Sequence, residues 1–399
     1  MGKTPKRAVC YQINLQLSLG GGEIFTRFLT AALRGLGFET VIFVHADAGF
    51  WRSLMPAGVT LVPVRTLAEI EADLPVSGAL VITHSALPPD AALRFAARYR
   101  LAGMLHMPLY ERFPEGLRHY HRLFAVSDHV IASAKARGLS TVYPAPLYGV
   151  ADLASRAGAS QMPGPLRAVE IFDWDRRKVR DRLLGWLSTI GAAMGDASSG
   201  KVFERRPGLT LGIVSRITPI KQFPAMFSLL SPIVARFPAV NVEIFGSGGY
   251  ASVRDLKRAL APIRGQVRLW GRQDDVAAIY PKLDYVLSGL PEKEALGLNL
   301  IEAQCCNTPV LAVRAPPFTE IVVDGVTGFL FGDPRQDRGR GFGELLARLA
   351  AGYPRPQPKL AVEHLARFST DAFRERVAAA LDSVDGAATG SDATPASRD

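Results

Sequence analysis

The chain has 399 residues, of which 48% are hydrophobic and 21% are charged, as expected for a soluble globular protein long enough for two α/β domains. Three cysteines exclude a disulfide framework or a cysteine zinc site, and no apolar run is long enough to cross a bilayer. The net charge of +10 fits an anionic lipid surface or an acidic glycan. Because no nucleic-acid-binding motif accompanies this charge, we expect no nucleic-acid partner.

The N-terminal region predicts a strand, a glycine turn and a helix in direct succession. The apolar run from Ala8 to Ile13 is short and contains Gln12, so it indicates a first strand and not a signal peptide. Gly21 and Gly22 stand in the following turn, and helical spacing begins at Ile24. Glycines let a ligand approach the backbone, although a plain strand–helix turn would need the same residues. The spacing lacks the dinucleotide fingerprint, which argues against NAD.

Two histidines follow apolar segments that read as strands. His84 ends the run Ala79–Thr83, and His106 ends the run Leu101–Leu105. Both therefore belong to the carboxyl edge of a predicted parallel sheet, where ligands of such sheets bind. Chance placement is the alternative for either residue, and the case for His84 is the weaker of the two.

The middle of the chain is less regular. Residues 151–165 are rich in Ala, Gly, Ser and Pro and indicate a linker, and residues 173–191 have helical spacing with several arginines. Such a basic helix is usually a solvated face, and contact with a membrane or an acidic acceptor is the alternative. This stretch predicts a domain boundary without a sharp position.

The second half repeats the pattern of strand, polar turn and helix. One predicted strand ends before Arg216 and Lys221, the next before Gly246 and Gly248, and a third before Arg272. Arginine can bind a phosphate through two N–H groups of its planar guanidinium, and lysine can act as a point charge. Alternating strands and helices of this kind indicate a doubly wound parallel sheet.

The segment from Glu294 to Glu302 places two carboxylates eight residues apart, on either side of Gly297. A glycine turn that opens a helix provides free backbone N–H groups and the positive end of the helix dipole, which together bind anions. Carboxylates beside such a site accept hydrogen bonds from hydroxyls. A capped helix with no ligand is the plainer interpretation of this segment alone.

Taken together, these motifs resemble glycosyltransferase family 4, the retaining nucleotide-sugar transferases with a GT-B fold. The resemblance covers roughly residues 7–383 and includes the late turn from Asp324 to Gly328. Leu296 replaces a more usual phenylalanine, and the turn from Ala315 to Glu320 replaces one that usually carries paired glycines. The second departure puts the shape of the sugar pocket in question.

The resemblance implies specific roles for individual residues. The expected catalytic residues are His106, Arg216, Lys221 and Glu294. The expected donor-binding residues are Gly21, Gly22, Gly246, Gly248, Arg272, Gly297, Leu298, Asn299 and Glu302. Arg216 and Lys221 would neutralise the leaving diphosphate, so no metal and no other cofactor is expected. Glu294 would bind the transferred sugar, Glu302 the ribose, and His106 would line the sugar and acceptor side. His84 is a weaker candidate on the acceptor side.

The resemblance also implies the domain organisation and fold class: two Rossmann-like doubly wound α/β domains facing across a cleft. We expect an N-terminal acceptor domain over 5–165 and a nucleotide-sugar donor domain over 166–362. A C-terminal helix over 363–384 is expected to cross back to the first domain. The small polar residues 385–399 predict a disordered tail.

The expected reaction is transfer of a hexose from a UDP- or GDP-sugar to an acceptor hydroxyl, in cell-surface polysaccharide or glycolipid synthesis. The partners would be the nucleotide sugar and a glycan or lipid-linked acceptor. A cytoplasmic location is expected, with peripheral contact to the inner face of an anionic membrane as a further expectation. Three alternatives stay open: a GT-B nucleotide-sugar 2-epimerase, a phosphorylase or synthase that forms nucleotide sugars, and a non-catalytic sugar-nucleotide-binding protein.

Overall fold

The computed structural model describes residues 8–110, 113–151, 164–173 and 201–389, with side chains up to Val384. The chain divides into two compact units. The first comprises Met1–Val150 and Ala366–Asp399, and the second comprises Ala151–Leu365. The second unit therefore begins closer to the N-terminus than the predicted boundary at residue 166.

The first unit is built on a six-stranded parallel sheet with the order β3-β2-β1-β4-β5-β6. Its strands carry the apolar runs that the sequence shows, since both faces of a parallel sheet are covered by helices. The strands are β1 Val9–Asn14, β2 Glu39–His45, β3 Thr60–Val64, β4 Leu80–Thr83, β5 Arg100–Leu105 and β6 Arg122–Ala125.

Helices cover this sheet and connect its strands. The long helix α1 begins directly at the predicted glycine turn, and an N-terminal proline starts α4, where a missing N–H costs nothing. The helices are α1 Gly21–Gly35, α2 Trp51–Leu54, α3 Leu67–Asp73, α4 Pro89–Arg98 and α5 Asp128–Ala136.

The interface between α1 and β1 is partly polar. Gln12 and Asn14 are almost fully buried on β1. The Gln12 amide donates to Thr30 Oγ1 at 2.8 Å, and the Asn14 amide donates to Thr26 Oγ1 at 3.0 Å. Thr26 and Thr30 are one helical turn apart, so two residues of one strand face meet two residues of one helix face. Buried polar groups need such partners, and these pairs fix how the helix lies on the strand.

The second unit contains another six-stranded parallel sheet, with the order β12-β11-β10-β7-β8-β9. Each predicted strand of the second half is present, and each runs into its predicted turn. The strands are β7 Leu209–Val214, β8 Val240–Phe245, β9 Val267–Gly271, β10 Tyr285–Leu287, β11 Val310–Val313 and β12 Gly328–Phe331.

An α-helix follows each of these strands except β9, where the 3-10 helix Tyr280–Lys282 precedes β10. The α-helices are α6 Phe223–Val234, α7 Tyr250–Ala259, α8 Leu298–Cys305, α9 Phe318–Ile321, α10 Pro334–Asp337, α11 Arg340–Ala350 and α12 Val362–Ala366. The departure at Ala315–Glu320 is occupied by the short helix α9. The two parallel sheets and their helices confirm the predicted two-domain Rossmann-like fold class.

The C-terminal helix α13, Thr370–Thr389, belongs to the first unit. Its Phe373 is fully buried, and its ring meets the ring of Phe25 on α1 edge-on, with centroids 5.3 Å apart. Arg122 on β6 donates to the backbone oxygen of Ser383 at 2.8 Å. The helix ends at Thr389, five residues past the predicted end at 384.

Several predictions concern residues outside the described ranges. They are the basic helix at 173–191, most of the linker at 151–165 and the tail from 390 onward. Across the described part of the chain, no helix is both long and apolar enough to cross a membrane.

Candidate active site

The strand order of the second sheet identifies where a ligand would bind. The chain adds β8 and β9 on one side of β7 and then places β10 on its other side. In open α/β sheets, ligands bind outside the carboxyl ends of the strands at such a reversal. Arg216 and Lys221 follow β7, and Glu294 follows β10, so the topology gathers these predicted residues at one edge.

Lys221 and Glu294 form an ion pair there. The Lys221 ammonium lies 2.5 Å from Glu294 Oε2, with 20% and 12% of the two side chains exposed. Gly289 makes this approach possible, because a Cβ on it would lie 2.3 Å from the backbone oxygen of Lys221. The pair joins the turn after β7 to the turn after β10, and it holds a cation and a carboxylate at the edge of the sheet.

A second ion cluster holds the loop that carries Glu294. Arg335 on α10 donates to both oxygens of Asp333 and, at 2.6 Å, to Glu292. These two carboxylates raise the pKa of Arg335, and Arg335 holds the pKa of Asp333 below its usual value. The bond to Glu292 ties the loop to α10 two residues before the catalytic candidate.

Helix α8 begins at this edge, directly after Gly297. Gly297 has φ of 89°, a left-handed conformation that favours glycine, and Phe318 and Ile321 on α9 pack beneath it. Among the described residues, no acceptor bonds the amides of Leu298 and Asn299. The two free N–H groups and the helix dipole make this end suitable for an anion.

Glu302 lies one turn into the same helix and is buried, with 5% of its surface exposed. The fully buried Tyr280 donates its hydroxyl to Glu302 Oε2 at 2.8 Å. This charge-assisted bond orients the carboxylate. The structure therefore keeps the two glutamates of the motif in different surroundings, with Glu294 on a lysine and Glu302 on a tyrosine.

The glycines after β8 have a packing role that is visible in the structure. A Cβ on Gly246 would lie 1.9 Å from the backbone oxygen of Ser215, and one on Gly248 would lie 2.1 Å from that of Ile217. Their amides donate to the backbone oxygens of Gly271 and Ile171. The turn after β8 therefore packs against the turn after β7, and its two glycine amides are used within the protein.

The two predicted arginines are more exposed than Lys221. Arg216 is an exposed residue directly after β7, next to the turn that Gly246 supports. The Arg272 side chain is 64% exposed and lies 3.9 Å from Asp274, whose side chain is 98% exposed. The structure thus places Arg216 at the reversal of strand order and Arg272 at the outer strand β9.

The first unit has a corresponding reversal between β1 and β4. Gly21 and Gly22 open α1 after β1, His84 follows β4, and His106 follows β5. A Cβ on Gly22 would stand 3.8 Å from the His106 ring. The predicted glycine turn and both histidines therefore meet at one edge of this sheet.

The two histidines are hydrogen-bonded to each other. His84 Nδ1 lies 3.0 Å from His106 Nε2, and the rings stack with an interplanar angle of 16°. The ring of Phe25 meets His106 edge-on. Burial, together with the neighbouring His106, lowers the pKa of His84 well below its usual value, and burial lowers the pKa of His106 to about 4. Both rings are therefore neutral near pH 7.

Sequence reasoning did not find Gln12, Gly289 or Tyr280. Gln12 accepts a hydrogen bond from His84 Nε2 at 3.1 Å, although in the sequence it only shortened an apolar run. The alternation of polar residues along β1 is the signal that could have revealed it. No group of three or more His, Cys, Asp or Glu side chains that could hold a metal occurs in the described ranges.

Part of the second unit matches a known family of glycosyl transferases. Residues 199–340, which include Arg216, Lys221 and both glutamates, match the family model for glycosyl transferases group 1. A D-inositol 3-phosphate glycosyltransferase of Kribbella flavida is 26% identical over 90% of each chain. A second one, of Mycobacteroides abscessus, is 35% identical over 40% of this chain and 36% of its own length.

Among solved structures, HepE of Anabaena in complex with UDP has a TM-score of 0.66 to this chain, at 17% identity. The likeness covers 94% of this chain and all of that one. The same neighbour in complex with UDP-glucose has a TM-score of 0.63. At this level of identity the likeness concerns the fold, and its extent includes both sheets.

Proposed function

Because the chain is a glycosyltransferase with a GT-B fold, and the comparisons support the family 4 type, we propose that it is a retaining enzyme. It transfers a hexose from a UDP- or GDP-sugar to an acceptor hydroxyl. The neighbours that bind UDP and UDP-glucose support a uridine donor. The product belongs to cell-surface polysaccharide or glycolipid synthesis, and the basic net charge of +10 favours an acidic glycan or a lipid-linked acceptor.

The ion pair between Lys221 and Glu294 carries the proposal. One pair provides both groups that a nucleotide sugar needs at its reacting end, a cation for the diphosphate and a carboxylate for sugar hydroxyls. The free amides at the start of α8 lie in the same edge and would bind further phosphate oxygens. Arg216 would add a second cation from the turn after β7.

Glu302 would accept hydrogen bonds from the ribose hydroxyls of the donor. Its Oε2 is oriented by the Tyr280 hydroxyl, so a ribose would meet a preset carboxylate. A buried, oriented acceptor loses little freedom on binding, which favours affinity for the nucleotide. Glu294 would act later, on the sugar that moves.

The reaction would break the bond between the anomeric carbon and the diphosphate oxygen and form a bond from that carbon to the acceptor oxygen on the same face. The acceptor proton would go to the leaving phosphate oxygen, so the enzyme needs no nucleophile of its own. Lys221 and Arg216 would stabilise the charge that develops on the diphosphate. One preorganised donor of this kind is worth roughly 10²–10³ in rate, which makes metal independence feasible.

The test begins with thermal melting of the full chain in the presence of UDP-, GDP- and ADP-sugars and the bare nucleotides. A donor at about 100 times its Kd stabilises the native state by about 2.7 kcal/mol. We expect a UDP- or GDP-sugar to give the largest shift, with no dependence on added EDTA. Lys282 is an exposed lysine outside the site. The Lys282→Met variant therefore serves as the control for Lys221→Met.

Turnover then separates the alternatives. A transferase converts the donor only when an acceptor is present, and proton NMR of the product shows retained anomeric configuration. Conversion of the sugar nucleotide to its epimer without an acceptor would indicate the 2-epimerase. Loss of turnover on treatment with EDTA would overturn the metal-free mechanism. Binding without any conversion would leave a sugar-nucleotide-binding protein.

We propose a cytoplasmic location with peripheral membrane contact, because nucleotide sugars are cytoplasmic substrates and the chain is basic. Sedimentation with vesicles of anionic and of neutral lipid tests the membrane contact. Binding that requires anionic lipid and weakens with salt supports it, and equal recovery with both vesicles contradicts it.

A further inference from the structure

The hydrogen bonds around His84 and His106 form a continuous chain that begins at a backbone carbonyl. Thr30 donates its hydroxyl proton to the backbone oxygen of Thr26 at 2.8 Å. A carbonyl can only accept, so the single proton of Thr30 is committed to it. Thr30 Oγ1 must then accept from the group that approaches it at 2.8 Å, which is the side chain of Gln12.

This requirement fixes the amide of Gln12. Its NH₂ group points to Thr30, and its oxygen therefore points to His84 Nε2, 3.1 Å away. An amide oxygen can only accept, so His84 carries its proton on Nε2. Since the pKa of His84 lies well below its usual value, the ring is neutral and its Nδ1 keeps a lone pair.

The same reasoning reaches His106. Its Nε2 lies 3.0 Å from the unprotonated Nδ1 of His84, so it must be the donor in that bond. Thr26 Oγ1 is 3.2 Å from the same nitrogen of His84, but its single proton goes to the backbone oxygen of Gly22 at 2.9 Å, so Thr26 does not replace His106 as the donor. In the neutral ring of His106, Nδ1 then bears the lone pair. Among the described residues, nothing bonds to His106 Nδ1.

We infer that Thr30, Gln12 and His84 are positioning residues that fix the tautomer of His106, so that its Nδ1 accepts a hydrogen bond from a substrate hydroxyl. This inference rests on the proposed function for the identity of that substrate. A lone pair attracts a hydroxyl proton and repels phosphate or carboxylate oxygens, so His106 selects for the sugar or acceptor hydroxyl and against the diphosphate. His106 would therefore distinguish a hydroxyl from a phosphate by electrostatics, although the residues that position it are uncharged.

The histidine tautomers can be read directly, without activity, by two-bond ¹H–¹⁵N correlation spectra of the full chain labelled at histidine. His84→Asn and His106→Asn assign the two rings. We expect both rings protonated on Nε2 and unprotonated on Nδ1 near pH 7. A His106 ring protonated on Nδ1 would overturn the inference, whatever the enzyme transfers.

Two substitutions test the relay. Gln12→Glu keeps an acceptor oxygen for His84 Nε2 and should keep the proton on that nitrogen. Gln12→Met has a similar volume but no acceptor, and should give a mixture of tautomers at both rings. An unchanged wild-type spectrum in a folded Gln12→Met variant would contradict the relay.

The substrate role is tested by adding donors to the labelled protein. A sugar nucleotide should shift the His106 Nδ1 resonance, and the matching bare nucleotide should not. In turnover assays, Gln12→Met should lower kcat roughly two- to tenfold, because His106 would lose the hydrogen bond that orients it. The KM for the donor should not change. A sugar nucleotide that binds and leaves Nδ1 unshifted would refute the substrate role. If no sugar nucleotide binds, the proposed function fails while the tautomer result stands.

Discussion

The ion pair of Lys221 and Glu294 should behave as one catalytic unit. Its atoms are 2.5 Å apart and most of both side chains is buried, so each group determines where the other lies. Lys221→Met and Glu294→Gln remove one charge each at nearly constant volume, and the double variant removes both. The three variants make a double-mutant cycle that measures the coupling directly.

The structure sets the expected loss of activity in each variant. Loss of Lys221 removes a charge aimed at the leaving diphosphate, for which we expect a fall in kcat of about 10²–10³. The same change leaves Glu294 largely buried without its partner, so its position for the sugar is lost as well. The Glu294→Gln variant should therefore fall by a similar factor. If both single variants disable the same unit, the double variant should lie within about tenfold of the slower single one.

The assay is kcat and kcat/KM for the best donor, with thermal melting of each variant to confirm folding. Lys282→Met and Glu344→Gln, separately and together, are the matched controls on exposed side chains, and we expect no change in either. Independent groups would multiply their losses to a fall of roughly 10⁴–10⁶ in the double variant. That outcome would refute the reasoning that the pair acts as one unit.

Further predictions concern packing, the buried carboxylate and pH. Gly246→Ala should destabilise the protein by about 1–3 kcal/mol in urea unfolding, because its Cβ would meet backbone at 1.9 Å, whereas Gly249→Ala has open space and should be neutral. Tyr280→Phe should weaken binding of the bare nucleotide by about five- to a hundredfold in calorimetry, and Tyr353→Phe should not. Burial lowers the pKa of His106 from 6.5 to about 4. The unfolded chain gains that proton first, so stability should fall between pH 6.5 and 4 by up to about 1.4 kcal/mol per pH unit, and His106→Asn should flatten the slope.

Much of the fold was predictable because parallel strands leave clear signals in the sequence. Each apolar run of the second half ends in a polar or glycine turn, and the structure contains a strand at each of them. The carboxyl ends of such strands share one edge, so residues as distant as Arg216 and Glu294 were expected together. The fold class and the type of enzyme are confirmed, whereas the roles of the individual site residues stay predictions.

The remaining features depend on contacts between residues that are distant in the chain. Tyr280 is one apolar aromatic residue among many until its hydroxyl is seen on Glu302. Gly289 looks like an ordinary turn residue until the backbone of Lys221 is placed beside it. The sequence shows which residues could act, and it does not show which buried partner orients each of them.

The polar residues of β1 illustrate why an interrupted pattern can carry information. A strand covered on both faces normally excludes polar side chains, since each one needs a buried partner. Gln12 has two buried hydrogen-bond partners, Thr30 on α1 and His84 after β4. An apolar residue at this position would remove the donor to Thr30 and would leave the histidine tautomers unspecified. The buried amide is therefore better explained by the histidine pair at the sheet edge than by the stability of the sheet, and the Gln12→Met variant separates the two: a function in the site predicts altered tautomers with little loss of stability, whereas a purely structural role predicts the reverse.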